Sequence, residues 1–205
     1  MKHGRPHAKP GAEFHYADTG YVLLGEVIQR TTGQSLAAAY RSLLDCAGLG
    51  LTSTYLETPE PVPSTAGPRA HQYDTDIDTY AFDPSFDHYG SGGLISSVED
   101  LGRFYRALLR GEIFHHPKTL ATMLTIPNAG SGSSAAMGLF RYEIAGSVWW
   151  GHSGFWGTTA IYSPDLDLTL TYSATQDEVV SDLDAESLIG GLLTVVGDAA
   201  GTPTA

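Results

Sequence analysis

Residues 148–172 read VWWGHSGFWGTTAIYSPDLDLTLTY. Leu166, Leu168, Leu170 and Tyr172 alternate with Asp167, Thr169 and Thr171. That period of two belongs to a strand with one face buried. Pro164-Asp165 supplies a tight connection into it. Working outward, 157–163, 147–153 and 138–145 are short runs rich in aromatic and β-branched residues, and they read as further strands. Short strands joined by tight connections predict an antiparallel meander.

Toward the N-terminus the pattern is helical. Tyr21, Leu24 and Ile28 recur at spacings of three and four, so a helix starts near Thr19 and stops at Gly33. A second is expected from Ser35 to Gly48, with Leu36, Tyr40, Leu43, Leu44 and Ala47 as its apolar stripe. Residues 57–92 carry five prolines (Pro59, Pro61, Pro63, Pro68, Pro84) and no clean period. Ser97 and Asp100 form a capping box, and Val98, Leu101, Phe104, Tyr105 and Leu108 face one way up to Gly111. Pro117–Leu124 is a short helix with proline in its first turn, and a last helix is expected over Leu183–Val196. The division is an extended lead-in (1–13), a mostly helical region (14–130), and strands with a terminal helix (131–205). Helices first and a meander later is an α+β arrangement.

Composition narrows the function. Eleven Lys and Arg against 23 Asp and Glu give a net charge of -12. A nucleic-acid binder needs a basic footprint, so that class is excluded. Hydrophobic residues make up 42%, enough for a core. One cysteine, Cys46, leaves no disulfide framework and no cysteine zinc cage; on a helix it reads as a small core residue. The start, MKHGRPHAKPG, lacks an apolar run, so no signal peptide is expected, and no stretch is long enough to span a bilayer. A soluble chain with no membrane partner is expected; its compartment is not readable.

Three clusters stand out. Tyr16-Ala17-Asp18 opens the first helix. Gly90-Ser91-Gly92-Gly93-Leu94-Ile95-Ser96-Ser97 leads into the capping box. Gly151-His152-Ser153-Gly154 lies between two strands. In this order they resemble the serine β-lactamase-related hydrolases, which include class C β-lactamases, D-Ala-D-Ala carboxypeptidases, D-aminopeptidases and esterases. Tyr16-Ala17-Asp18 is similar to the family's Tyr-x-Asn motif, and His152-Ser153-Gly154 to its Lys-Thr-Gly or His-x-Gly motif. The two are 134 positions apart (152 minus 18).

The resemblance implies an antiparallel sheet flanked by helices, with a mostly helical region beside it and the active site between. It implies Tyr16 and His152 as catalytic residues, Tyr16 being the proton shuttle. It implies that Asp18, Ser153, Gly154 and Phe155 meet the substrate, the Phe155 N–H as half of an oxyanion hole. It implies no cofactor and no metal.

A third family motif, Ser-x-x-Lys, is absent. Pro6 precedes Lys9 by three, His115 precedes Lys118 by three, and Lys2 has no room. Gly-x-Ser-x-Gly is absent too. The expectation is therefore the C-terminal part of such a hydrolase, inactive alone, whose missing N-terminal segment is its partner. That segment would also bring the family's N-terminal strands, leaving 166–173 as an unpaired edge here. A free phenol, with a pKa near ~10, is a poor base at neutrality without a nearby cation, and the motif lysine would be that cation.

Two departures bear on the small-molecule or peptide substrate. An ionised Asp18 only accepts hydrogen bonds, where the family's Asn also donates. Asp18 is either a contact for an amine-bearing substrate or the N-cap of the helix beside it. His152 replaces the lysine of β-lactamases. An imidazole is mostly neutral at pH 7, which favours an esterase or peptidase over an efficient β-lactamase, unless His152 is simply hydrogen-bonded on its strand. The alternative class is a non-catalytic descendant that binds a ligand or partner.

Other residues read as plainer features. His3, His7, His115 and His116 are surface histidines. Asp74, Asp76 and Asp78 begin like a calcium loop, but Thr79 and Ser85 stand where glycine and glutamate are required. They make a solvated acidic loop. Trp149, Trp150 and Trp156 are core or cleft wall.

Overall fold

The computed structural model describes residues 7–84, 89–127, 133–176, 187, 190–192 and 194. Helix α1 (Asp18–Thr32) ends at Gly33, which sits at φ 68° with its N–H donating to the Gln29 carbonyl. Helix α2 (Leu36–Leu43) starts at Ser35, whose hydroxyl accepts from the Ala38 N–H. It stops five residues before Gly48. The Leu44 cap closes it, and Asp45 at φ 47° turns the chain away while its carboxylate accepts the Gly48 N–H. Leu43, expected inside, is therefore exposed, whereas Cys46 is buried as expected.

The two helices meet around Leu36, Ala37 and Leu56, with Ile28, Tyr40 and Tyr89 packed against them. The contact uses small residues of α1. A Cβ on Gly25 would lie 2.7 Å from the Tyr89 ring, and one on Gly90 would lie 2.5 Å from the Tyr21 carbonyl oxygen. The glycine-rich loop therefore lies directly on α1 and fixes its first half. Tyr21 and Leu24, expected to face inward, are exposed, because the helix is approached on its Gly25 side.

The irregular 57–92 segment is closed at its base by one short strand pairing and holds another. Strand β1 (Tyr55–Leu56) pairs with β4 (Leu94–Ile95), and β2 (Tyr73–Asp74) with β3 (Ile77–Asp78). The β2–β3 hairpin carries Asp74, Asp76 and Asp78. Asp78 accepts from the Tyr80 N–H and faces His71 Nδ1 at 2.7 Å. No group of three or more metal-binding side chains occurs among the described residues.

Helix α3 (Val98–Leu109) begins at Ser97, whose hydroxyl accepts the Asp100 N–H at 3.2 Å. Asp100 does not complete the expected reciprocal box. It is 2% exposed and accepts from the Ser53 N–H at 2.7 Å, the Thr54 hydroxyl at 3.0 Å and Arg103 at 2.9 Å. The loop across from it offers stronger donors than its own helix start. Helix α4 (Pro117–Met123) is capped by the His116 ring, which accepts the Lys118 N–H.

Strands β5 (Phe140–Ile144), β6 (Ser147–Ser153), β7 (Thr158–Ser163) and β8 (Leu168–Ser173) form an antiparallel meander in that order. One face carries Trp150 and Tyr162, which pack with Leu108, Leu109 and Leu139 beneath α3 and α4. The other carries Ile144, Trp149 and Ile161, joined by Leu168 and Leu170. The threonines of β8 are covered as well. The Thr171 hydroxyl donates to the Val98 carbonyl at 3.0 Å, and Gly102 lets α3 lie against Thr169 and Thr171. This helix makes β8 half-buried on both faces rather than one.

Asp167 pins α3 to the β7–β8 turn. It accepts from Tyr162 at 2.9 Å and pairs with Arg106 at 2.7 Å and Arg110 at 3.1 Å. Of the expected terminal helix, Ser187, Gly190, Gly191, Leu192 and Thr194 are helical; its other residues lie outside the described ones. No helix among the described residues is long and apolar enough to cross a membrane.

Candidate active site

Tyr16 lies two residues ahead of α1. The N-cap is Ala17, at φ -157° and ψ 120°, with no side-chain cap bond. Asp18 is thus not the cap. It is exposed inside the first turn, where the helix dipole favours its negative charge.

His152 is held by β6. The residue before it, Gly151, has no room for a side chain: a Cβ there would sit 2.0 Å from the Ala160 carbonyl oxygen. His152 Nδ1 lies 2.6 Å from the Ser153 carbonyl oxygen. A carbonyl only accepts, so Nδ1 carries the proton, and in the neutral ring the lone pair is on Nε2.

The fold brings Tyr16 and His152 together. Their ring centroids are 6.0 Å apart, with the planes inclined at 44°. The ring series continues through Phe140, 5.2 Å from His152, to Phe14, 6.1 Å from Phe140 at 90°. These four rings edge a hollow of about 190 Å³ whose wall includes Ala135, Ala136 and Gly138. The sequence reading missed this wall. Phe14 could have been noticed as an aromatic beside the tyrosine motif, but nothing local marks residues 135–140.

Asp18, Ser153, Gly154 and Phe155 do not line the hollow. All four are exposed. Burial raises the pKa of the Tyr142 phenol, and a hydrogen bond with the Ser153 side chain opposes that rise, so Ser153 is oriented by β5. The Gly154 N–H donates to the Thr158 carbonyl at 2.7 Å, and the Gly157 N–H to the Gly154 carbonyl at 3.0 Å. This tight turn carries Phe155 at its tip, 59% exposed. Among the described residues, no backbone carbonyl takes the Phe155 N–H.

The beta-lactamase family model matches residues 1–191. The chain belongs to the beta-lactamase family.

Solved structures share its fold. A D-amino acid amidase from Ochrobactrum anthropi SV3, complexed with L-phenylalanine, is 24% identical with a TM-score of 0.75, over 95% of this chain and 60% of the amidase. A penicillin binding protein from Bacillus halodurans is 18% identical with a TM-score of 0.66, over 89% of this chain and 57% of that one. A beta-lactamase from Mycobacterium bovis is 20% identical with a TM-score of 0.65, over 92% and 66%. The chain thus spans about 60% of the amidase's length. The fold is the β-lactamase/transpeptidase-like one, an antiparallel sheet with helices, in a family of serine hydrolases.

Proposed function

We propose that this chain forms part of a serine hydrolase that cleaves amide or ester bonds through an acyl-enzyme. The observation that carries this reading is the meeting of Tyr16 and His152, with rings 6.0 Å apart on one hollow although they are 136 positions apart (152 minus 16).

In this reading the nucleophilic serine and its lysine come from sequence outside these 205 residues, since no Ser-x-x-Lys occurs within them. The serine oxygen attacks the substrate carbonyl carbon while its proton passes to the Tyr16 phenolate. The oxyanion accepts from the Phe155 N–H and from the serine's own N–H. As the intermediate collapses, Tyr16 gives the proton to the departing amine or alcohol. Water then attacks the acyl-serine ester. Its proton goes to Tyr16 and on to the serine oxygen, restoring both groups. With Nδ1 donating to the Ser153 carbonyl, His152 accepts a hydrogen bond at Nε2 from a substrate N–H. Asp18 and Ser153 hold the flank of the substrate, Asp18 suiting an amine.

A histidine that accepts at Nε2 is a weak anchor for a carboxylate. This favours an esterase or peptidase over an efficient β-lactamase.

The test is hydrolysis of nitrocefin and p-nitrophenyl esters by the 205-residue chain and by the full gene product. The expected result is turnover by the full product only, lost in Tyr16→Phe. Turnover by the 205-residue chain would overturn the external nucleophile. Absence of turnover and of any acyl-serine in the full product would leave the non-catalytic binding descendant instead.

A further inference from the structure

We propose that the β2–β3 hairpin braces the turn between β6 and β7. Tyr73, through its backbone N–H, and Gln176, through its side chain, are then positioning residues that hold the Phe155 N–H where the oxyanion forms. The proposal rests on the hydrolase reading and deepens it.

The turn itself is closed by the Gly154 N–H on the Thr158 carbonyl at 2.7 Å and the Gly157 N–H on the Gly154 carbonyl at 3.0 Å. Those bonds shape it and leave its far side to be fastened from β8. The Ala174 N–H donates to the Gly157 carbonyl at 3.0 Å, one bond beyond the paired strands.

The chain past Ala174 is gripped by the hairpin. The Thr175 carbonyl accepts the Tyr73 N–H at 2.9 Å, and Tyr73 forms a parallel bridge with Gln176. The Gln176 Nε2 donates to the Thr75 carbonyl at 3.4 Å, across 101 positions of sequence. The strand end on which the Phe155 turn leans is thus tied to a distant loop.

Backbone conformation marks this junction on both sides. Thr75 sits at φ 54° and Thr175 at φ 57°. A β-branched residue rarely enters the left-handed region and stays there only where its surroundings hold it. The two-residue turn Thr75-Asp76 demands a positive φ at its first position, which glycine or asparagine usually supplies.

The hairpin is stiff enough to brace. His71 stacks on Tyr80 with ring centroids 4.1 Å apart, and its Nδ1 lies 2.7 Å from Asp78. The Thr79 N–H and hydroxyl both donate to the Gln72 carbonyl at 2.9 Å. An oxyanion donor acts only when fixed in advance. Removing such a donor outright costs roughly 10²–10³ in kcat, and loosening it costs less.

The experiment uses the full gene product and two readouts: p-nitrophenyl acetate hydrolysis, and amide hydrogen exchange at Ala174 by NMR. Tyr73→Pro removes the N–H that points at Thr175 rather than at β3, so the β2–β3 pairing survives. It should lower kcat about tenfold at constant KM and speed Ala174 exchange about tenfold. Tyr73→Ala keeps the N–H and should retain most of the turnover that Tyr73→Pro loses. Gln176→Ala, which removes only a side chain, should move both readouts in the same direction by about threefold. Ala174 exchange unchanged in Tyr73→Pro and Gln176→Ala would overturn the brace. So would faster exchange with kcat intact, or an equal loss in Tyr73→Ala and Tyr73→Pro. A full product without turnover sinks the hydrolase reading, and with it the role at the oxyanion, whereas the exchange data still decide whether the hairpin holds the turn.

Discussion

Gly151 runs so close to Ala160 that a Cβ on Gly151 would stand 2.0 Å from the Ala160 carbonyl oxygen and 2.7 Å from Ile161 Cα. Both obstacles are backbone, so neither can swing aside. The strand carrying His152 is set against β7 at a spacing only glycine permits. Gly151→Ala should therefore destabilise the protein by about 3 kcal/mol through overpacking. Urea unfolding gives the figure, and an unchanged midpoint would show that the strands separate freely.

The His152 imidazole donates from Nδ1 to the Ser153 carbonyl at 2.6 Å. At neutral pH its neutral form should be the Nδ1–H tautomer, leaving Nε2 as acceptor. Nitrogen-15 NMR of the ring distinguishes the tautomers directly. A ring protonated at Nε2 would remove the acceptor that the proposed mechanism uses.

Asp100 satisfies the Ser53 N–H and the Thr54 hydroxyl from a nearly closed position. Asp100→Ala leaves those donors without their carboxylate. The expected cost is about 2–3 kcal/mol, the range for hydrogen bonds to a charged group. Asp100→Asn should cost less, since an amide oxygen still accepts. Equal losses for the two variants would mean that volume, not hydrogen bonding, matters here.

The hydrogen bond from Tyr162, together with Arg106 and Arg110, holds the Asp167 carboxyl below its usual range, against a smaller opposing effect of burial. A depressed folded pKa means a contribution that is present above the unfolded value, near 3.8. It is lost as pH falls through the lower folded value. Unfolding midpoints between about pH 5 and about pH 2 should fall less steeply in Asp167→Asn than in the parent. Parallel curves would remove Asp167 from the acid response.

Burial pushes the Tyr105 phenol up to about 12. Its neutral form is the folded one. That contribution is complete below the unfolded value of 10.0 and declines as pH rises toward the folded value. Tyr105→Phe should be less sensitive than the parent in this alkaline window. Ultraviolet titration showing every tyrosine ionised near pH 10 would contradict it.

The four-strand meander was legible because each strand is a short run with its own turn chemistry, and these are local properties. The β8 alternation identified a strand correctly but misjudged its exposure. Whether the threonine face meets water depends on α3 crossing it, and Gly102 permits that crossing. The first helix was found from Tyr21, Leu24 and Ile28, of which Ile28 packs inward and Tyr21 and Leu24 do not. Apolar spacing marks a helix face, whereas the real contact is made through Gly25, where a missing side chain lets the Tyr89 ring approach. The capping box failed in its second half because Asp100 found better donors in a loop 47 positions away.

By itself the sequence determined the first four helices, the four meander strands and the two motifs carrying Tyr16 and His152, but not the four two-residue strands β1 to β4, because periodicity and motif spacing act over a few residues. Only the tertiary structure decided that these rings share a hollow, that Phe14 and Phe140 continue the ring series along it, and that Ala135, Ala136 and Gly138 belong to its lining. Those residues come from separate segments. Their juxtaposition is set by strand register, by the seat of the glycine-rich loop on α1 and by the close β6–β7 spacing at Gly151, none of which local patterning encodes.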